Sequence, residues 1–308
     1  MYSADIPSWH RRLLKAIITG MKWNPFNTSI GLALGGGAAR GIAHVGVLAA
    51  IEEQHIDISY ISGTSVGALV GSYYAFGQPV DQILSIGSTL NLTKMINLTL
   101  NKGGLFSTRA IGQMVRRDLG DRNIEDAKIP LAICATDIET GEEVLFREGN
   151  LADAICASMA VPGLFVPVVV GGQTLVDGGI VENVPVSALE TMGAGVLVAV
   201  SLTHSELQSK PADMMDVVSN AIDIAMGLST RQQLKKADIV IALKLGQYSR
   251  TNNQGRTQEL YRVGYDAMQE QIPELHSYSQ VNIGKYLLKV MSEVAPFKIP
   301  EFIHKHFR

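Results

Sequence analysis

Along the chain, short runs that are apolar at nearly every position alternate with longer stretches whose apolar residues recur every three or four positions. The runs are IGLAL (30–34), ISYIS (58–62), LAICAT (131–136), VLVAVSL (196–202) and DIVIAL (238–243). A strand with one face in water alternates apolar and polar side chains, whereas a strand covered on both faces is apolar throughout. The pattern therefore predicts an α/β fold, with a mostly parallel central sheet and helices on both faces. After residue 204 the chain becomes more polar and helical. The expected organisation is an N-terminal amphipathic helix segment (1–28), a core (29–202) and a helical C-terminal extension (203–308) that completes the domain.

Two of the helical patterns carry a second reading. In SWHRRLLKAIITGMKW (8–23), Trp9, Leu13, Ile17 and Met21 fall four apart, Leu14 and Ile18 lie beside them, and Arg11, Arg12, Lys15 and Lys22 flank the stripe. An apolar helix face edged with cations and tryptophan suits the surface of an anionic bilayer, and it equally suits docking on the domain or on a partner. Over 212–236, Met214, Met215, Val218, Ile222, Ala225 and Met226 repeat at helical spacing, which reads as core or as the lining of an apolar pocket. The C-terminal PFKIPEFIHKHFR is expected to pack across the surface.

Composition narrows the classes. With 308 residues, 46% hydrophobic and 18% charged, the chain can bury a large core, and a formal net charge of −3 is not that of a dedicated nucleic-acid binder. Cys134 and Cys156 are the only cysteines, with no His/Cys cluster at ligand spacing, so neither a disulfide framework nor a zinc site is signalled. A reducing, cytoplasmic setting fits. The first residues lack an exported signal's apolar segment, and no run of about 18 apolar residues predicts a membrane span.

Chemistry concentrates in three places. IGLAL, GGGAARG and IAHVGVLAAIEE read as strand, glycine turn and helix, an arrangement whose free N–H groups favour an anion. The dinucleotide pattern G-x-G-x-x-G fails because Arg40 takes the third glycine position, and the P-loop pattern fails because Ile42 stands where lysine is required. An anion nest beside Arg40 and a tight packing turn both remain open. His44, on the following helix, reads as a packing or capping residue.

The second place is Gly63-Thr64-Ser65-Val66-Gly67, a G-x-S-x-G match between a strand and a helix, which is the context that exposes a nucleophilic serine on a sharp turn. A serine hydroxyl needs a base. His204, in SLTHSE, is the best histidine for a Ser-Asp-His order. The third place, Asp177-Gly178-Gly179, offers a carboxylate at a strand end, and Asp-Gly is also a strong signal for a type I′ hairpin.

Taken together, GGGAARG, GTSVG, ASMAVPGLFVPV (157–168) and LVDGGIVENVPV (175–186) resemble the patatin-like phospholipases in order and approximate spacing. The resemblance is especially to the bacterial members and the catalytic domain of neuropathy target esterase, and covers roughly residues 29 to 202. GGLFST (103–108) and the segment 129–158 also look like that family.

The resemblance implies a lipid acyl hydrolase of the phospholipase A or lysophospholipase kind, acting on phospholipid or another acyl ester, with no cofactor and no metal. Ser65 would be the nucleophile and Asp177 the proton acceptor. Gly36, Gly37, Ala38 and Arg40 would form the oxyanion hole, Gly63 and Gly67 the elbow, and Gly178 and Gly179 its support. Two positions depart from the family: Ala38 stands where a further glycine is common, and Glu182 where a polar residue, often asparagine, is common. The enzyme would act in the cytoplasm, in peripheral contact with the inner face of a membrane. Two other readings accompany this one: a regulatory or scaffold protein on the same fold, and a Ser-Asp-His esterase using His204.

Overall fold

The computed structural model describes residues 28–89, 106–202, 214–249, 253 and 255–279. The amphipathic segment 8–23, the C-terminal aromatic stretch and His204 lie outside them.

Among the described residues the chain forms an eight-stranded sheet. Its strands are β1 (Ile30–Leu34), β2 (Ile58–Thr64), β3 (Leu131–Asp137), β4 (Glu143–Phe146), β5 (Val168–Val170), β6 (Gln173–Asp177), β7 (Val196–Ser201) and β8 (Ile239–Ala242). The order is β5-β6-β3-β2-β1-β7-β8, with β4 also on β3. The five apolar runs read from sequence are the parallel members, β3, β2, β1, β7 and β8. The other three pair antiparallel at one end of the sheet, which is therefore mixed.

Side-chain alternation sends one set of residues to each face. Leu32, Leu34, Val196, Val198 and Val200 join the larger core, while Ala33, Leu197 and Ala199 join a smaller one with Val184, Val186 and Leu189. On the larger face lie α1 (Ile42–Glu53), α2 (Val66–Ala75), α3 (Val80–Thr89), α4 (Arg109–Leu119), α5 (Leu151–Ser158) and α9 (Thr257–Ser279). The smaller face carries α6 (Gly179–Glu182), α7 (Val186–Met192) and α8 (Met214–Leu234). None of the helices among the described residues is long and apolar enough to cross a membrane.

Long-range contact ties the C-terminal part to the core. α9 crosses α1 glycine to glycine: a Cβ on Gly46 would lie 1.9 Å from the Tyr261 carbonyl oxygen, and one on Gly264 would lie 1.8 Å from that of Ala43. Backbones approach this closely only where no side chain intervenes.

One expectation is corrected. A type I′ hairpin at Asp177-Gly178 requires positive φ, yet Gly178 sits at φ −62° and opens α6. The hairpin lies upstream instead, where Gly171 (φ 59°) and Gly172 (φ 85°) join β5 to β6. Of the stripe read from sequence on α8, Ala225 is exposed and Met226 half-buried; Val217, Ile224 and Leu228 are exposed beside it, and α8 meets α6 through hydrogen bonds. Gln233 Nε2 and Ser229 Oγ both donate to the Val181 carbonyl, and Gln233 Oε1 accepts from Val184 N.

Candidate active site

The sheet's strand ends gather the three sequence motifs. β2 ends on Thr64, which lies opposite Cys134 of β3, and the next β3 residue, Ala135, lies opposite Asp177 of β6. Ser65, the residue after Thr64, is thus level with Asp177 two strands away, about 10 Å of sheet width. Both are buried.

Ser65 has φ 54° and ψ −123°, a backbone conformation that costs a non-glycine residue roughly 1–3 kcal/mol and persists only when its surroundings impose it. The flanking glycines let those surroundings close in. A Cβ on Gly67 would lie 2.0 Å from the Leu34 carbonyl oxygen, and one on Gly63 would lie 2.6 Å from the Ala68 backbone. The sharp strand-to-helix turn therefore depends on both.

Asn183 stands between the motifs. A Cβ added to Gly36 would meet Asn183 Oδ1 at 2.7 Å and Ser65 Cβ at 3.4 Å, and one added to Gly179 would meet Asp177 Oδ1 at 3.0 Å and Asn183 Oδ1 at 3.2 Å. Gly36 and Gly179 thus both abut one amide oxygen, with Ser65 against the first and Asp177 against the second. Asp177 Oδ1 accepts from Gly179 N at 2.8 Å, which fixes its carboxylate. A Cβ on Gly178 would lie 2.3 Å from the Cys134 carbonyl oxygen, a backbone atom that cannot swing aside, so Gly178 is sterically required.

Buried hydroxyls fasten these segments to one another. Ser62 Oγ donates to Pro185 O, Thr64 Oγ1 to Glu182 O and Thr136 Oγ1 to Asp177 O, at 2.7, 2.9 and 3.0 Å. The Glu182 carboxylate accepts from Ser187 N at 3.1 Å and from Ser187 Oγ, placing its charge at the start of α7, where a helix favours an anion. Nearby, burial and then the hydrogen bond and charge of Glu182 push the Glu143 carboxyl up to about 7.

The glycine loop offers fewer free amides than its composition suggests. Gly35 N donates to Val200 O, Gly36 N to Asn183 O and Arg40 N to Gly37 O, at 3.0, 3.1 and 3.2 Å. Among the described residues, the Gly37 and Ala38 amides have no acceptor. The Gly36 and Arg40 amides, expected to face an oxyanion, are committed to shaping the loop. Ala38 adopts φ 52°, the conformation for which glycine is the ordinary residue.

His44 braces the loop from below. Its Nε2 lies 2.7 Å from the Gly35 carbonyl oxygen, which can only accept, so Nε2 carries the proton. Nδ1 is buried without a partner among the described residues. Burial pushes the imidazole down to about 4, against the hydrogen bond to Gly35. On the outside, Arg40 Nε donates to Tyr248 O at 3.0 Å and Asn253 Nδ2 to Ala39 O at 3.3 Å. The braces from Tyr248 and Asn253 carry no sequence signal, because they lie about two hundred residues from the loop.

Residues 32–190, just over half of the chain, match the family model for patatin-like phospholipase. The chain belongs to the patatin-like phospholipase family. An uncharacterized NTE family protein of Mycobacterium tuberculosis is 37% identical over 180 residues, covering 58% of this chain and 50% of the relative. Lysophospholipase NTE1 of Yarrowia lipolytica is 32% identical over 199 residues, covering 63% of this chain and 14% of that protein. The chain thus spans half the length of the mycobacterial relative and a small part of the longer one. Among solved structures, VipD from Legionella pneumophila shares the fold with a TM-score of 0.51 at 16% identity, over 81% of this chain and 67% of that one.

The family match spans the glycine loop, the elbow and the Asp177 loop, and stops before Tyr248 and Asn253. From α8, Met226 reaches the same place: its Cε would lie 2.4 Å from a Cβ on Gly179. Among the described residues, no group of three His, Cys, Asp or Glu side chains is arranged to hold a metal ion.

Proposed function

We propose that this patatin-like protein is a lipid acyl hydrolase in which Ser65 is the nucleophile and Asp177 the base. The observation that carries the reading is the strained Ser65 turn set beside Asp177 and the glycine loop around Asn183 Oδ1. A serine held in such a conformation presents its hydroxyl clear of both strand and helix.

In this mechanism Asp177 takes the Ser65 Oγ proton as Oγ attacks the ester carbonyl. The carbonyl oxygen becomes an oxyanion within reach of the Gly37 and Ala38 amides, which make no other hydrogen bond among the described residues and are fixed in place before the charge develops. The carbon–oxygen bond to the leaving alcohol breaks, and that alcohol carries away the proton held by Asp177. Water then gives its proton to Asp177 and attacks the acyl-serine, releasing fatty acid and restoring Ser65. The Gly179 N–H bond to Asp177 Oδ1 keeps the carboxylate oriented through both half-reactions.

The lipid assignment rests on family membership and on relatives whose names include a lysophospholipase. The test is mass spectrometry of fatty acid and lysolipid released from mixed phospholipid vesicles. Ser65→Ala and Asp177→Asn are each expected to lower release by on the order of 10⁴-fold or more, as removal of a nucleophile or its base does in other serine hydrolases. Release at the wild-type rate from either folded variant would refute the assignment.

A further inference from the structure

The segment Ser158-Met159-Ala160, at the end of α5, contacts both proposed catalytic residues from behind. Ser65 N donates to Ser158 Oγ at 2.8 Å, and Asp177 N donates to Ala160 O at 3.0 Å. Ser158 is fully buried, and its own proton goes to Cys134 O at 2.6 Å. Directions are unambiguous here, because an amide can only donate and a carbonyl can only accept. With its proton on Cys134 O, the hydroxyl turns a lone pair to Ser65 N.

We propose that this segment sets the spacing of Ser65 and Asp177, with Ser158 as the positioning residue; the inference rests on the Ser65–Asp177 reading above. Ser65 N heads α2, where an amide has no partner within the helix. In this fold its acceptor is a side chain from another element, anchored on the strand between Ser65 and Asp177. The strained turn is thereby tied to the same three residues that hold the Asp177 backbone. Ser158 touches no reacting atom and acts through the angle it gives Ser65.

The test follows Ser65 labelling by a fluorophosphonate probe and kcat and KM for a soluble acyl ester, in wild type, Ser158→Ala, Ser158→Thr and Ser65→Ala. Loss of the hydroxyl is expected to slow labelling and to lower kcat roughly 10- to 100-fold, the scale of a misplaced nucleophile, with KM within about twofold. Thr keeps the hydroxyl and should restore both rates to within about threefold of wild type. Rates are taken per folded molecule, with folded fraction from circular dichroism, so that instability does not imitate misplacement.

Equal labelling of Ser158→Ala and wild type, or losses that vanish once scaled to the folded fraction, would overturn the positioning role alone. A wild type that labels no faster than Ser65→Ala would overturn the nucleophile reading, and this inference with it.

Discussion

Two strand-to-helix turns leave neighbouring parallel strands, one between β2 and α2 and the other between β1 and α1. Each holds a non-glycine residue at positive φ, Ser65 at 54° and Ala38 at 52°. The first is a single buried residue whose amide is bound by Ser158 and whose flanking glycines allow backbone contact on both sides. The second runs from Gly35 to Gly41, its middle residues are partly exposed, and its braces come from α1 and from beyond β8. One turn is held by a single buried hydroxyl and close backbone packing, and the other by several side-chain hydrogen bonds, two of them to residues beyond β8. In the proposed mechanism, the strained turn that sets the nucleophile is enclosed, while the loop that would receive the developing charge keeps the Gly37 and Ala38 amides free.

The two turns meet at Gly67, so the largest effect on both comes from that residue. A Cβ there would lie 2.0 Å from Leu34 O and 2.7 Å from Gly35 O, both backbone atoms that cannot swing aside. Gly67→Ala should therefore cost about 3 kcal/mol or more, at the upper end for overpacking, and lower the urea midpoint without changing the slope. A loss below about 1 kcal/mol would mean that α2 can lift from β1 without disturbing the rest.

The glycine loop can be loosened alone through His44. Its folded-state pKa of about 4 lies below the ordinary value of 6.5, so the unfolded chain binds the extra proton first. Stability from the neutral, buried imidazole is complete above 6.5 and falls as pH drops through the window to about 4. The cost by pH 5 is about 2 kcal/mol. His44→Gln retains a donor for Gly35 O but does not titrate. Denaturant midpoints at pH 7 and pH 5 should therefore separate the two proteins, with wild type losing more. Parallel losses would show that the carboxylates, and not His44, set the acid response.

The same contrast governs what the sequence disclosed. The elbow was legible because its requirements are local: a strand, two glycines around a serine, and a helix. The five parallel strands were legible because burial on both faces makes them apolar throughout. Of the antiparallel strands, β6 was marked only by the apolar run ending on Asp177, and β4 and β5 gave no such signal, lying where one face is open, with Val169 of β5 68% exposed. At Asp177-Gly178 the dipeptide alone could not separate a hairpin from a helix start, since the deciding contact is the approach of Gly178 to Cys134 O. For the loop, the family resemblance implied four amide donors, but which amides are spent depends on Asn183 O and Gly37 O. That information resides in the packing of β7, α6 and the loop itself.

The smallest predicted effect sharpens the comparison most, because it asks whether the two positive-φ residues differ in purpose. Ala38→Gly relieves a left-handed alanine, while giving the unfolded chain more freedom to lose. The net gain in stability should stay below about 1 kcal/mol, read from urea unfolding, and turnover should change by less than about threefold, since the amide remains. Ser65→Gly should gain stability by a similar route and abolish turnover, because in the proposed mechanism only that strained residue's side chain reacts. If Ala38→Gly also lost turnover, the alanine methyl would be holding the loop's amides in place, and the two turns would both be strained for the sake of geometry.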